Sequence, residues 1–485
     1  MNAPLRRLSV AVMLLFGLLL INANYLQVVE ADSLHNDSNN PRLIAEEYSR
    51  ERGPILVAGE PVASSTATDD RLKYLREYAD GKLYAPATGF YSLVYGASGI
   101  EQESNSVLAG TDDSLFVRRV IDLLTGVQPK GGSVALTLDP KAQQAAYDGL
   151  RARNAKGAVV AVDPSTGAIL ALVSTPSFDP NLLASHSPSD VRANYDRLSS
   201  APSRPMLNRA LRQTYPPGST FKIVTASAAL ESGRFSADSQ VDNGSRLDLP
   251  LTDDTLPNFD GAPCSSSGQA TLTDALKRSC NVAFGKIGLE LGDDALRTQA
   301  EKYGFNSAFE VPMRSVASRY PEDPDEPQTA LTSIGQFDVS ATPLQMAMVA
   351  AAVANRGVLM APYLVQEVQA PDLSVIDSAR PRELSTPINP QTAAALAQMM
   401  TAVVDDGTGP NAAIPGIKVA GKTGTAQQGD NRKPHAWFVS FAPSDTEAKV
   451  AVAVVLEEGG DAAEVSGNEL AAPIAKAVMQ AVLDR

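Results

Sequence analysis

The chain has 485 residues, 44% of them hydrophobic and 20% charged, with 41 Lys and Arg against 55 Asp and Glu for a net charge of −14. That acidity argues against a nucleic-acid binder, which needs a basic face. Three His and two Cys are too few soft ligands for a zinc cluster, and no Walker loop, GxGxxG or GxSxG is present, so no metal or cofactor is expected.

Arg6 and Arg7 precede an apolar run, and Leu8 to Val29 is about the length that spans a bilayer. The positive flank predicts residues 1–7 in the cytoplasm, a single-pass anchor over 8–29 in the plasma membrane, and the rest of the chain extracytoplasmic. A cleaved signal peptide is the alternative, because the clean part of the run is short. In an oxidising compartment two lone cysteines usually pair, so Cys264 and Cys280 are candidates for a disulfide. Two buried thiols are the other reading.

Residues 30–135 read as a polar, irregular linker or pedestal that forms no large core alone. Asp37–Pro41 reads as linker, Arg52-Gly-Pro-Ile55 opens an extended stretch, and Tyr84–Tyr91 reads as turn and strand. From 136 to 485 the patterning is clearer. Val134–Asp139 predicts a strand and Pro140–Leu150 a helix. The apolar runs Gly157–Asp163 and Ala168–Val173 flank Pro164-Ser-Thr-Gly167 and predict a hairpin. A largely helical stretch follows over 216–410. Strand-like runs come at Ile417–Thr425, Trp437–Ala442 and Val450–Glu457, and Leu470, Ile474, Val478 and Val482 mark a last amphipathic helix. The fold class is α/β, with an antiparallel sheet completed by both ends of this segment.

Chemistry concentrates at Pro216-Pro-Gly-Ser219-Thr-Phe-Lys222. Ser219 and Lys222 stand three apart at the expected start of a helix, so they share a face. A serine hydroxyl needs a base to become a nucleophile, and Lys222 is the local one if burial or a second cation keeps it neutral. S-x-x-K occurs once, and K-[ST]-G occurs once, at Lys422-Thr423-Gly424, followed by Thr425. S-x-N occurs at Ser38, Ser279 and Ser466, and only Ser279-Cys280-Asn281 falls between the other two motifs. Singly, Ser219, Ser279 and Asn281 could be helix caps, and Lys222 and Lys422 solvated residues. In this order the trio is a strong signal for the penicilloyl-serine enzymes.

The chain resembles the class B penicillin-binding proteins, most closely those of mycobacteria and their relatives. Further residues carry that likeness: Arg52-Gly-Pro-Ile55, Gly99-Ile-Glu101, Asn208-Arg209, Gly335-Gln336 and His435-Ala-Trp-Phe438. The resemblance implies a serine β-lactamase-like transpeptidase domain, with helices on both sheet faces and an all-helical lobe. It implies that Ser219 attacks the penultimate D-alanine of a peptidoglycan stem peptide and that Lys222 takes the proton. The oxyanion would lie between the N–H groups of Ser219 and Thr425. Thr423 and Thr425, backed by Lys422, would hold the terminal carboxylate, with Gly424 between them. Ser279 would relay a proton to the leaving D-alanine, Lys422 would help keep Lys222 neutral, and Asn281 would bind the peptide amide. β-Lactams would acylate the same serine. His435 reads as structural and Trp437 as core or cleft wall. The implied partner is a glycosyltransferase of the shape, elongation, division and sporulation family, because the N-terminal part is too short to hold such a domain. A D,D-carboxypeptidase or β-lactamase shares the acylation half. A β-lactam sensor or division scaffold is the non-catalytic alternative.

Overall fold

The computed structural model describes residues 2–28, 48–115, 128, 130–259, 261–427, 432–459 and 465–484; the Asp37–Pro41 linker and Ser38 lie outside them. Helix α1 (Asn2–Val28) starts ahead of Leu8, and its Pro4–Gln27 stretch is long and apolar enough to cross a membrane and buries nothing against the protein.

Strands β1 (Ile55–Val57), β2 (Glu60–Ala67) and β3 (Tyr74–Tyr78) form an antiparallel meander. Strand β4 (Ser133–Leu136) then pairs in parallel with β1. Helix α2 (Pro140–Arg151) starts where the Asp139 carboxylate accepts the Ala142 N–H and Pro140 needs no donor. The hairpin of β5 (Gly157–Val162) and β6 (Ile169–Thr175) follows. Next come helices α3 (Lys222–Glu231), α4 (Asn281–Leu291) and α5 (Pro343–Ala354). Strands β7 (Val365–Gln369) and β8 (Val375–Ser378) precede helix α6 (Pro390–Asp405). The chain closes with β9 (Ala420–Ala426), β10 (His435–Ala442), β11 (Val450–Leu456) and helix α7 (Ala472–Leu483).

The central sheet is antiparallel throughout, in the order β9-β10-β11-β5-β6. Every residue of β5, β6, β10 and β11 is buried, so both faces are covered. Val452 and Val454 face α2 and α7, while Ala451, Ala453 and Val455 face the core that holds α5. Strand β9 lies at the edge, and its outer side faces the helical lobe.

Three sequence expectations change. Residues 81–88 form a helix with Pro86 inside it, not a turn and strand; Gly89, at φ 71°, ends it, and buried Leu83, Tyr84 and Ala87 hold it down. The stretch 216–410 also holds strands, among them β7, β8 and three-residue pieces at Gln240–Asp242 and Gln269–Thr271. One buried residue in each three-residue piece is too little for a visible period. Finally, the N-terminal segment is not irregular throughout, since it holds β1, β2 and β3. A second sheet runs β8-β7-β4-β1-β2-β3, and Ile55, Val57 and Val62 belong to one core with the catalytic region.

That second sheet is held by a buried ion cluster. Glu101 is fully buried and accepts from Arg52 Nε at 2.7 Å, Arg76 Nε at 2.7 Å and Tyr78 Oη at 3.1 Å. Burial alone would raise the Glu101 pKa, but Arg76 and Arg52 outweigh it and hold the carboxyl below its ordinary range. Its contribution is therefore present above the ordinary carboxylate pKa and is lost as the pH falls through the lowered value. We expect Glu101→Ala, which strands two buried guanidiniums, to cost about 3–5 kcal/mol in thermal or denaturant unfolding. Unchanged stability would show that the cluster fixes geometry alone.

Candidate active site

Ser219 lies in a 3₁₀ turn, Gly218–Phe221, and the α-helix begins only at Lys222. The sequence reading put Ser219 at the start of an α-helix; the tighter turn still keeps the pair together, because residues three apart eclipse in 3₁₀ geometry. Gly218 donates its N–H to Gly335 O at 3.0 Å, and a Cβ on Gly335 (φ 73°) would meet Gly218 O at 2.2 Å. On the other side, a Cβ on Gly424 would come within 2.9 Å of Thr220 Cγ2 and of Trp437 Cβ. The turn is thus clamped between the Gly335 bend and edge strand β9, with Ser219 half-buried at the opening.

Lys222 is fully buried on α3. Its Nζ donates to Ser279 O at 2.7 Å and to Asn281 Oδ1 at 2.7 Å, and lies 3.4 Å from Ser279 Oγ. Lys422, also fully buried, donates to Ser279 Oγ at 2.8 Å and to Thr423 O at 3.0 Å. Burial and the charge of Lys422 push the Lys222 pKa well below the ordinary lysine value, and burial pushes Lys422 down to about 7. A neutral Lys222 has two N–H groups, both engaged by the 2.7 Å acceptors, and one lone pair left to take a proton. Ser279 connects the two amines from a left-handed backbone (φ 63°) that a serine rarely adopts.

Asn281 has a second task beside the expected contact with the peptide amide. Its Oδ1 accepts from Lys222 and its Nδ2 donates to Pro257 O at 3.0 Å, so the amide orients the lysine, with one further donor hydrogen for a ligand. On β9, Thr423 Oγ1 hydrogen-bonds Thr408 Oγ1 at 2.8 Å, and Thr425 is half-buried. The Thr425 carbonyl oxygen would lie 3.2 Å from a Cβ on Gly218. In an extended strand a residue's N–H points to the same side as its C=O, so the Thr425 N–H faces the catalytic turn rather than β10.

Several contributors escape the motifs. Thr408 sits in the turn cluster Asp406-Gly-Thr-Gly-Pro410, whose composition marks a turn but no function. Trp437 is buried and donates from Nε1 to Pro216 O at 3.0 Å. Glu457 accepts from Tyr215 Oη at 2.8 Å and Arg209 Nε at 2.9 Å, which ties the end of β11 to the residue that opens the catalytic turn. His435 Nδ1 accepts the Glu458 N–H at 3.2 Å, and burial pushes its pKa down to about 4, which fits a neutral structural imidazole. Cys264 and Cys280 are disulfide-bonded, and Cys280 is the N-cap of α4.

A half-buried serine one 3₁₀ turn ahead of a buried lysine of lowered pKa, set against the edge strand β9, defines a serine acyl-transfer centre. The penicillin binding protein transpeptidase domain matches residues 157–480, and the penicillin binding protein A dimerisation domain matches residues 52–134. The chain belongs to the penicillin-binding protein transpeptidase family. It is 44% identical over 490 aligned residues to the peptidoglycan D,D-transpeptidase PbpA of Mycolicibacterium smegmatis, covering 100% of this chain and 99% of that one. The peptidoglycan D,D-transpeptidase MrdA of Escherichia coli is 28% identical, over 80% of this chain and 64% of its own. The ceftriaxone acyl-enzyme structure of penicillin-binding protein A from M. tuberculosis superposes with a TM-score of 0.88 at 43% identity, covering 90% of this chain and 100% of that one.

Two outcomes follow from this geometry. Lys422→Gln removes the charge that helps depress Lys222, so the acid limb of the acylation pH profile should move to higher pH. An unmoved limb would mean that burial alone sets the Lys222 pKa. The disulfide closes a loop with a separation of 16 residues, worth about 3 kcal/mol on the chain-entropy model. The Cys264→Ser, Cys280→Ser double variant should melt lower and acylate more slowly, because Ser279 loses its tether. Equal acylation rates would confine the bond to a stabilising role.

Proposed function

We propose that this chain is a peptidoglycan D,D-transpeptidase acting through Ser219. The observation that carries the reading is Lys222, fully buried and donating to Ser279 O and Asn281 Oδ1, with burial and Lys422 holding its pKa well below the ordinary lysine value. Ser219 Oγ attacks the carbonyl carbon of the penultimate D-alanine, and its proton passes to Lys222. The tetrahedral oxyanion lies between the N–H groups of Ser219 and Thr425. Thr423, oriented by Thr408, and Thr425 bind the terminal carboxylate, with Lys422 behind them and Gly424 leaving room for the approach. The C–N bond breaks as Lys222 passes the proton it took through Ser279 to the departing D-alanine amine, with Lys422 donating to the Ser279 hydroxyl, and Lys222 is again the free base. An amine of a neighbouring stem then attacks the acyl-enzyme, releases Ser219 and leaves a cross-link. A β-lactam enters at the first step and stops there.

In this reading residues 1–7 are cytoplasmic and 8–29 anchor the chain in the plasma membrane. Residues 30–135 form a pedestal, and 136–485 form the extracytoplasmic transpeptidase domain. The protein serves cell-wall synthesis, division and shape beside a glycosyltransferase of the shape, elongation, division and sporulation family. The likeness to PbpA over the full length supports this reading over a β-lactamase.

Incubation with a fluorescent penicillin, followed over time, tests it. Wild type should label once per chain and hold the label for many turnovers of a β-lactamase; Ser219→Ala should not label at all. Stoichiometric labelling of Ser219→Ala would remove the mechanism, and rapid loss of label from wild type would make the protein a hydrolase.

A further inference from the structure

A cleft of about 730 Å³, a volume typical of ligand sites, opens at the end of the central sheet beyond Thr175 and Glu457, away from Ser219. Lys82, from the 81–88 helix, Arg151 from the end of α2 and Lys156 ahead of β5 line it. None of the three cations forms an ion pair among the described residues, in a chain whose net charge is −14. The Arg151 guanidinium lies 5.6 Å from the centroid of the half-buried Tyr147 ring. The Ser177 hydroxyl lines the same cleft, is buried and has no hydrogen-bond partner. Exposed Glu458 faces the cations across the cleft, and a second cavity of about 310 Å³ shares Lys82, Tyr147 and Arg151 and continues to Asp179. The lining is therefore polar, of both signs, and includes an aromatic ring. Those features suit a chain of sugar and peptide carrying carboxylate and amine groups, rather than a compact apolar molecule.

Its position matches a substrate held at Ser219. Thr425 is opposite Ala436, Ala436 opposite Leu456, Leu456 opposite Gly157, and Gly157 opposite Thr175. At about 4.8 Å per strand, Leu456 and Thr175 lie roughly 10 and 19 Å from Thr425. A stem peptide of about five residues spans about 17 Å when extended. We infer that this groove is a subsite for the sugar-proximal end of a peptidoglycan stem, an N-acetylmuramyl peptide whose pyranose lies on Tyr147 and whose carboxylate meets Arg151, Lys82 and Lys156. The inference rests on the transpeptidase reading for its choice of ligand.

The test uses N-acetylmuramyl-L-alanyl-D-glutamate, which keeps the free α-carboxylate of a stem, has no D-alanyl-D-alanine end and so has no claim on the Ser219 cleft. Binding is measured by calorimetry on the full chain carrying Ser219→Ala. We expect saturable binding, weakened at least about tenfold by Tyr147→Ala with Arg151→Ala. The double variant should label with fluorescent penicillin at the wild-type rate, since neither residue touches the catalytic turn. No binding, or equal binding by the double variant, overturns the subsite. Penicillin labelling of Ser219 is read independently, so failure of the subsite and failure of the transpeptidase reading give different results.

Discussion

Two buried lysines share one serine hydroxyl, and that constraint organises the rest of the catalytic region. An ammonium taken out of water costs several kcal/mol unless it is paired, and among the described residues no carboxylate is hydrogen-bonded to either amine. Two charged amines around Ser279 would also repel each other. The arrangement is relieved when Lys222 gives up its proton, and that loss turns it into a base. The carbonyl of Ser279, the amide of Asn281 and the hydroxyl between the amines all accept hydrogen bonds. The site is polar enough to hold two amines and too dry to charge both.

The backbone around the site makes the constraint usable. Lys222 and Lys422 come from elements 200 residues apart in sequence, yet they must meet at Ser279. The close approach of β9 to the catalytic turn does this, and it requires Gly424 between Thr220 and Trp437 and Gly335 beneath Gly218. Trp437 and Glu457 pin the two residues that open the turn, Pro216 and Tyr215. The disulfide at Cys280 ties down the remaining corner, where Ser279 holds its left-handed backbone.

What the sequence disclosed follows from how local each signal is. The β5–β6 hairpin, the three late strands and α7 were legible because four to eight consecutive residues repeat one burial pattern. Ser219, Lys222, Ser279 and Lys422 were legible because their spacing is fixed by motifs. Thr408, Glu457 and the Gly335 bend were not, because each acts through a partner far along the chain and has no pattern of its own. The strands of the N-terminal segment were not legible for a related reason. They are short, and they share a sheet and a core with residues far along the chain. Glu101 and Arg52 stand out only through the family likeness, and their pairing with each other and with Arg76 is set by the fold.

The shared sheet also bears on how the protein is made. Strand β4 is flanked by β1 on one side and by β7 on the other, and the contact between Ser133 and Gln369 closes a separation of 236 residues. Ribosomes deliver the chain from its N-terminus at about 5–20 residues per second, so β4 waits roughly ten to fifty seconds for its second neighbour. During that interval a buried strand has an open edge, with unpaired N–H and C=O groups available to any other chain. The polypeptide therefore passes through a long window in which its N-terminal half must be kept apart from its neighbours. The two matched regions, though separable on paper, mature as one object.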